Sequence, residues 1–418
     1  MKILYLIHQF YPEFRTGTEK FVYNIALMAQ RSGNKVKVVT YSFYENSFYD
    51  QEYDGILSRE FIFEGIPIIA FKLKCEYIGL NIHLKDESLY GFAKKIIDDE
   101  SPDIIHIGHP MRVHEFIKVA IEKRIPYILT LTDFFMMCPK VNLAPDKYTL
   151  CSGPQRGSEC RILCAEFNDR FISHRLDLAE NYLKNAEQIV SPSKFLAVLF
   201  SQEFSGINIQ IINHGLRYKF IKQNNRIYKG GVKLVFGCAG TLAYHKGVHI
   251  LLKAFASIEN RDVELKIYGS GEKDYTSYLR NITSTDKRVT FCGTYLSEQL
   301  GEIFSGIDVM IVPSVCYENY PFVLHEALAS NVPVIASNIG GMAEKIKDNF
   351  NGLTFNTGSF KDLMRKMTLI IEHPDILNKM KANIKNQIVI PTVEQEAYNY
   401  LQLYKRTLLK KLQFLGNS

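Results

Sequence analysis

Lys233-Leu234-Val235-Phe236-Gly237-Cys238-Ala239-Gly240-Thr241-Leu242-Ala243-Tyr244-His245-Lys246-Gly247 reads as a short apolar strand, a glycine turn and the start of a helix-length segment running to residue 258. A run apolar throughout implies a strand covered on both faces, as in a parallel sheet packed between helices. The habit recurs in both directions. Similar runs follow at 263–268, 288–292, 308–312 and 332–336, with helix-length segments at 297–305 and 322–329. Before it stand 3–7, 36–40, 103–107 and 126–131, with a helix-length segment at 19–30. Strand alternating with helix over the whole chain predicts α/β domains of the doubly wound, Rossmann-like kind.

A chain of 418 residues has room for two such domains, and 46% hydrophobic content excludes a disordered or collagen-like chain. The polar, basic stretch 219–231 ends in Gly230-Gly231, and the alternation restarts beyond it. This predicts a first domain at 1–225, a second at 226–392 and a C-terminal helix at 393–418. Ligands of such sheets sit at the carboxyl ends of the strands, so the chemistry is expected in a cleft between the two halves. The net charge of +6 is spread over both halves, which argues against a nucleic-acid partner and suits an anionic ligand. Residues 1–8 are too briefly apolar for a signal peptide, and no run approaches the roughly 18 residues that span a bilayer. A cytoplasmic location is expected, with the inner face of the membrane as the other candidate place. In the C-terminal helix Leu401, Tyr404, Leu408, Leu412 and Leu415 alternate with Lys405, Arg406, Lys410 and Lys411. Such an amphipathic face either docks on its own protein or makes peripheral membrane contact.

The stretch richest in chemistry is Glu318-Asn319-Tyr320-Pro321-Phe322-Val323-Leu324-His325-Glu326-Ala327. Pro321 suits a first helical turn, which leaves the N–H groups of Tyr320, Phe322, Val323 and Leu324 free to cradle an anion or a polar ligand. One glutamate can then face a reacting group while the other accepts from vicinal hydroxyls; the plainer alternative is two solvated carboxylates favoured by the helix dipole. Lys246 stands where a cation would meet an anion at a helix start. Gly271 ends another strand–turn, and Gly17, between the first strand and its helix, lets backbone approach a phosphate closely. His109 and Asp133 follow the runs at 103–107 and 126–131. Cys138, Cys151, Cys160 and Cys164 share one irregular excursion at 138–165. They could hold a structural zinc or iron–sulfur centre, stay as free thiols, or pair as disulfides.

Together these pieces resemble the retaining glycosyltransferases of the GT-B fold, family four, also called group 1 glycosyltransferases. Glu318 and Glu326 match that family's E-x7-E signature. Gly340-Gly341-Met342-Ala343-Glu344 and Asn351-Gly352-Leu353 look like its G-G-x-x-E…N-G-L element. Residues 289–293, 186–195 and Asn213-His214-Gly215 resemble further stretches, and the likeness is strongest over 232–356. It implies two Rossmann-like domains facing each other across a cleft, with the C-terminal helix crossing back to the first. It also implies transfer from a nucleoside diphosphate sugar, UDP- or GDP-linked, to a glycan or lipid-linked acceptor, with retention and without a metal. Glu326 would bind the donor ribose and Glu318 the transferred sugar. Lys246 would meet the diphosphate, with Thr241, Gly17 and the amides from Tyr320 to Leu324 around it, and Gly271, Thr294 and Tyr295 would lie near the base. His109 and Asp133 would stand on the acceptor side. Two positions depart from the family: Thr241 stands where an arginine is usual, and Thr132 where many members have a histidine. They keep open a catalytically degenerate partner subunit, or another nucleotide-sugar enzyme such as an epimerase.

Overall fold

The computed structural model describes residues 1–75, 77–147 and 149–416. The chain forms two compact units. Unit 1 comprises Met1–Pro145, Leu150–Gly215 and Val393–Ser418; unit 2 comprises Asp146–Thr149 and Leu216–Thr392.

Unit 1 is built on a nine-stranded sheet, counted among the described residues. Its strands are β1 (Lys2–Ile7), β2 (Lys35–Tyr41), β3 (Gln51–Tyr53), β4 (Ile56–Phe63), β5 (Ile66–Leu73), β6 (Ile104–Ile107), β7 (Tyr127–Thr130), β8 (Gln188–Ser191) and β9 (Ile209–Ile211). Their order is β3-β4-β5-β2-β1-β6-β7-β8-β9. β1 pairs in parallel with both β2 and β6, so the winding reverses at the β1/β6 boundary. The β3-β4-β5 edge is antiparallel, an addition to the expected parallel pattern. The turn that makes it is Glu64-Gly65, both at positive φ (44° and 85°), the two-residue geometry that matches strand twist. The helix Gly17–Arg31 follows β1; the Glu19 carboxylate accepts from the Thr16 N–H at 2.6 Å, and Phe21, Ile25 and Ala29 bury one face.

The C-terminal helix Val393–Gly416 packs within unit 1, where Tyr400, Leu401, Leu403 and Tyr404 enter the core against β1 and the first helix. The last two residues of the expected helix, and the side chains of Leu412 and Leu415, lie outside the described residues. Its anchor is polar: the Tyr404 hydroxyl meets His106 Nδ1 at 2.5 Å, and Thr130 Oγ1 bonds His106 Nε2 at 2.9 Å and the Tyr400 hydroxyl at 3.0 Å. No described helix is long and apolar enough to cross a membrane.

Unit 2 carries a parallel sheet of six described strands: β10 (Leu234–Ala239), β11 (Val263–Tyr268), β12 (Val289–Gly293), β13 (Val309–Val312), β14 (Val334–Ser337) and β15 (Gly352–Phe355). The order β12-β11-β10-β13-β14-β15 reverses between β10 and β13. Residues 216–225, expected in the first domain, belong to this unit instead. Their polar side chains are tied to it: Asn224 Nδ2 donates to Ile307 O at 2.8 Å, and Lys381 Nζ to Asn224 Oδ1 at 2.9 Å. A solvated linker composition thus conceals a strap bonded onto the domain it precedes.

Replacing Tyr404 by Phe leaves the buried His106 Nδ1 without that hydroxyl and is expected to cost about 1–2 kcal/mol in urea unfolding. Burial also pushes His106 down to about 3 and His114 to about 4 from an ordinary 6.5. Above 6.5 the neutral rings cost nothing; below it the unfolded chain takes up protons that the folded one refuses, so stability falls with pH. Between about pH 6.5 and pH 5 each ring should remove roughly 2 kcal/mol. An unfolding free energy that stays flat over that interval would contradict buried neutral rings.

Candidate active site

In unit 2 the loops after the strands are laced together. Gly240 N donates to Tyr268 O at 3.1 Å, Leu242 N to Ser270 O at 2.8 Å, and Gly269 N to Gly293 O at 2.8 Å. Thr241, Gly271, Thr294 and Tyr295 therefore share one rim, with Thr241, Gly271 and Thr294 exposed. The loop after β10 also leans on the loop after β13, where Val315 N donates to His245 O at 2.8 Å. Gly247 sits at φ +68°, and a Cβ there would lie 1.9 Å from Pro313 O.

That approach brings Lys246 to Glu318. Lys246 Nζ stands 2.5 Å from Glu318 Oε1, which also accepts from Ser314 Oγ at 2.8 Å. Burial opposes the charge on Glu318, but Lys246, Ser314 and His245 outweigh it and hold the carboxyl below its ordinary value. Burial likewise works against the lysine charge, and Glu318 more than restores it. The pair is therefore ionic, at the point where the winding of this sheet reverses.

The helix Phe322–Ala329 begins four residues beyond Glu318, with Pro321 as its N-cap. Glu326, 8% exposed, lies on its inner side. Burial, then the charge of Glu326, pushes the Tyr295 hydroxyl above its ordinary value. One expectation needs correction: the Leu324 N–H is already taken by Pro321 O at 3.1 Å, because the helix opens with a tight turn. The amide cradle does not include it. Sequence reasoning also missed Ser314, and His325, whose ring stacks on Tyr320 at 3.5 Å while its Nδ1 meets Pro321 O at 2.9 Å. Neither carries a spacing signal.

In unit 1, His8 follows β1 and His109 follows β6, again where the winding reverses; their ring centroids are 4.0 Å apart. His109 Nδ1 accepts from the Met111 N–H at 3.2 Å, so Nε2 carries the proton toward Asp133 Oδ2 at 2.6 Å. Burial first, then His109 and Arg112, holds His8 neutral, with its pKa well below the ordinary range. Its presence beside His109 was not anticipated. Thr132 Oγ1 donates to Gly108 O at 3.3 Å, and Gly17 opens the first helix.

Cys138, Cys151, Cys160 and Cys164 do gather around one small cavity. All are free thiols, so the disulfide reading falls. The expected zinc or iron–sulfur centre is not assembled either: among the described residues no three His, Cys, Asp or Glu side chains stand as a ligand set for a metal ion. Neutral, desolvated thiols have no attraction that would close them on one another; burial, then the neighbouring sulfurs, pushes Cys160 up to about 12.

The family model described as "Glycosyl transferases group 1" matches residues 219–387. Residues 219–387, within unit 2, thus resemble the group 1 glycosyl transferases. An uncharacterized glycosyltransferase of Methanocaldococcus jannaschii is 36% identical over 116 residues, 27% of this chain and 30% of that one. The lipopolysaccharide 1,2-N-acetylglucosaminetransferase of Salmonella typhimurium is 26% identical over 204 residues, 44% of this chain and 53% of that one. The chain thus spans 30% and 53% of the length of these curated relatives. The structure of Anabaena Alr3699/HepE, in complex with UDP and glucose, superposes with a TM-score of 0.67 at 19% identity, covering 97% of this chain and all (100%) of that one. At that identity the likeness establishes the fold, which is GT-B.

Replacing Lys246 by Met leaves the Glu318 carboxylate without its counter-charge. Water reaches the lysine, whose side chain is 32% exposed, so the expected loss is about 1–3 kcal/mol, below that of a fully buried pair. The double variant Lys246→Met/Glu318→Gln should recover at least half. Additive losses in urea unfolding would show that the two charges do not depend on each other.

Proposed function

We propose that this chain is a retaining glycosyltransferase that moves a sugar from a UDP- or GDP-linked donor to a hydroxyl of a glycan or lipid-linked acceptor, without a metal in the transfer step. The observation that carries the reading is the Lys246–Glu318 ion pair beside the start of the helix Phe322–Ala329. A departing nucleoside diphosphate accumulates negative charge, and a fixed lysine with helix N-terminal amides stabilises that charge with little reorganisation. In this reading Lys246 and the Phe322 and Val323 amides hold the diphosphate. Glu318, held ionised by its neighbours, positions the transferred sugar, and Glu326 accepts from the donor ribose while Tyr295, Thr294, Gly271 and Thr241 border the base. In unit 1, the His109–Asp133 pair is the group that would orient an acceptor. The E-x7-E spacing supports retention. The glucose and UDP in the Anabaena complex support a uridine donor, and the Salmonella relative supports a cell-surface glycan as product. A cytoplasmic enzyme working at the inner membrane face follows if the acceptor is lipid-linked.

Thr132 favours a second reading. Its hydroxyl is bonded to Gly108 O, leaving no imidazole at that position, as in a partner subunit that binds without transferring.

A panel of UDP-, GDP- and dTDP-sugars with candidate acceptors separates the two. Nucleotide release is expected, falling roughly 10²-fold in Lys246→Ala and to background in Glu326→Ala. Binding of a nucleotide sugar without release, by chain that calorimetry shows to be folded, would leave the partner-subunit reading. A Lys246→Ala effect under about twofold would remove the lysine from the charge-stabilising role.

A further inference from the structure

The helix Asp169–Lys184 buries a stripe at Ile172, Leu176, Ala179 and Leu183, and Arg175 stands on that stripe, 2% exposed. A guanidinium is almost never fully buried unless polar groups meet it. Here they do. Its Nε donates to Ile82 O at 2.8 Å, one terminal nitrogen to Met136 O at 3.0 Å and the other to Phe135 O. Burial lowers its pKa to about 10 while Cys138, then Asp133, act the other way, so it remains a cation at neutral pH.

After β7 the chain runs through Phe134, Phe135, Met136 and Met137, four buried apolar residues in a turn rather than in a helix or strand. Buried carbonyls outside regular structure need partners from elsewhere. Arg175 supplies them for Phe135 and Met136, and its guanidinium also lies 4.8 Å from the Phe135 ring centroid. Phe135 in turn touches both members of the His109–Asp133 pair. Its N–H donates to Asp133 Oδ1 at 2.8 Å, and its ring centroid is 5.4 Å from that of His109. Asp133 Oδ2 then accepts from His109 Nε2. The third carbonyl opens a second path to the same crevice. Beside Ile82, Asn81 Oδ1 accepts from Arg112 Nε at 2.8 Å, and Arg112 also donates to His8 O at 3.3 Å.

We propose that Arg175 is the positioning residue of the His109–Asp133 pair, holding the Phe135 peptide and ring so that Asp133 presents one carboxylate oxygen to His109 Nε2–H. Without the guanidinium the Phe135 and Met136 carbonyls turn toward water, the Phe135 N–H leaves Asp133 Oδ1, and the imidazole loses its fixed acceptor. A pair that orients a substrate must hold its geometry to within about 0.5 Å, so a displaced peptide is felt as lost orientation. The inference rests on the reading of His109 and Asp133 as the acceptor-orienting pair, but its first test reads the imidazole and not the transfer.

That test is NMR of the full chain with isotope-labelled histidine, the His109 signals being assigned by their loss in His109→Gln. The unaltered chain should show the Nε2–H tautomer, with the far-downfield proton of a histidine–carboxylate hydrogen bond. Arg175→Met should abolish that resonance, and Arg175→Lys and Phe135→Leu should each shift it toward the position of a solvated imidazole. Tyr182→Phe, on the same helix, loses a buried bond to Leu84 O at 3.1 Å and should leave the resonance unchanged. In transfer assays Arg175→Lys should lower acceptor kcat/KM roughly 10²-fold while donor KM stays within about twofold. A resonance unmoved in folded Arg175 variants overturns the proposal, as does an equal shift in Tyr182→Phe or an Nδ1–H tautomer in the unaltered chain. If the Arg175 variants fail to fold, Phe135→Leu decides, and an unmoved resonance there overturns it. A shifted resonance in a chain that transfers no sugar supports the positioning role and removes the acceptor reading.

Discussion

Backbone runs against backbone at the carboxyl edge of the second sheet, so closely that no side chain fits between. A Cβ on Gly247 would meet Pro313 O at 1.9 Å, and one on Gly341 would meet Asn319 O at 2.1 Å. These two contacts press the loop after β10 and the segment after β14 onto the loop after β13 from both sides. Glu318 sits between them, its own carbonyl accepting from Gly341 N at 2.7 Å. The carboxylate is thereby fixed before any ligand arrives, and Lys246 and Ser314 are delivered to it by the same packing. A site whose charges are held by backbone contact loses little free energy to reorganisation when new charge develops beside it.

The two units solve a similar problem in a similar place. In each, the winding reverses beside the first strand of the unit, between β1 and β6 and between β10 and β13. There the following loops must part in opposite directions, leaving a crevice at the carboxyl ends. Lys246 and Glu318 occupy that position in unit 2, His8 and His109 in unit 1. The chemistry of the two crevices differs. One holds an ion pair stabilised against burial; the other holds two imidazoles tilted 37° to each other, of which His8 is kept neutral by desolvation and nearby positive charge.

Much of this was legible in the chain. Continuous apolar runs mark strands covered on both faces, and glycine turns mark where the loops begin, so the parallel core and the loops bearing Lys246, Gly271 and Glu318 could be read directly. Features that depend on partners remote in sequence could not. The antiparallel edge at β3-β4-β5 rests on a Glu64-Gly65 turn whose signal is weak beside the stronger parallel pattern. Residues 216–225 have linker composition, yet Asn224 and Lys381, 157 positions apart, bond them to unit 2. The Leu324 amide reads as free by its place in a helix, and only the turn onto Pro321 O removes it.

The sequence alone determined the alternation of elements, the residue types at each strand end and the E-x7-E spacing, because these are local properties of pattern and turn chemistry. Tertiary structure alone decided which charges meet. Lys246 and Glu318 are separated by 72 positions, and their ionic state follows from an encounter that burial opposes and mutual attraction wins. It decided equally that four cysteines spread over 27 residues border a single cavity. Charge state is set by what surrounds a group, and those surroundings come from parts of the chain that only folding brings together.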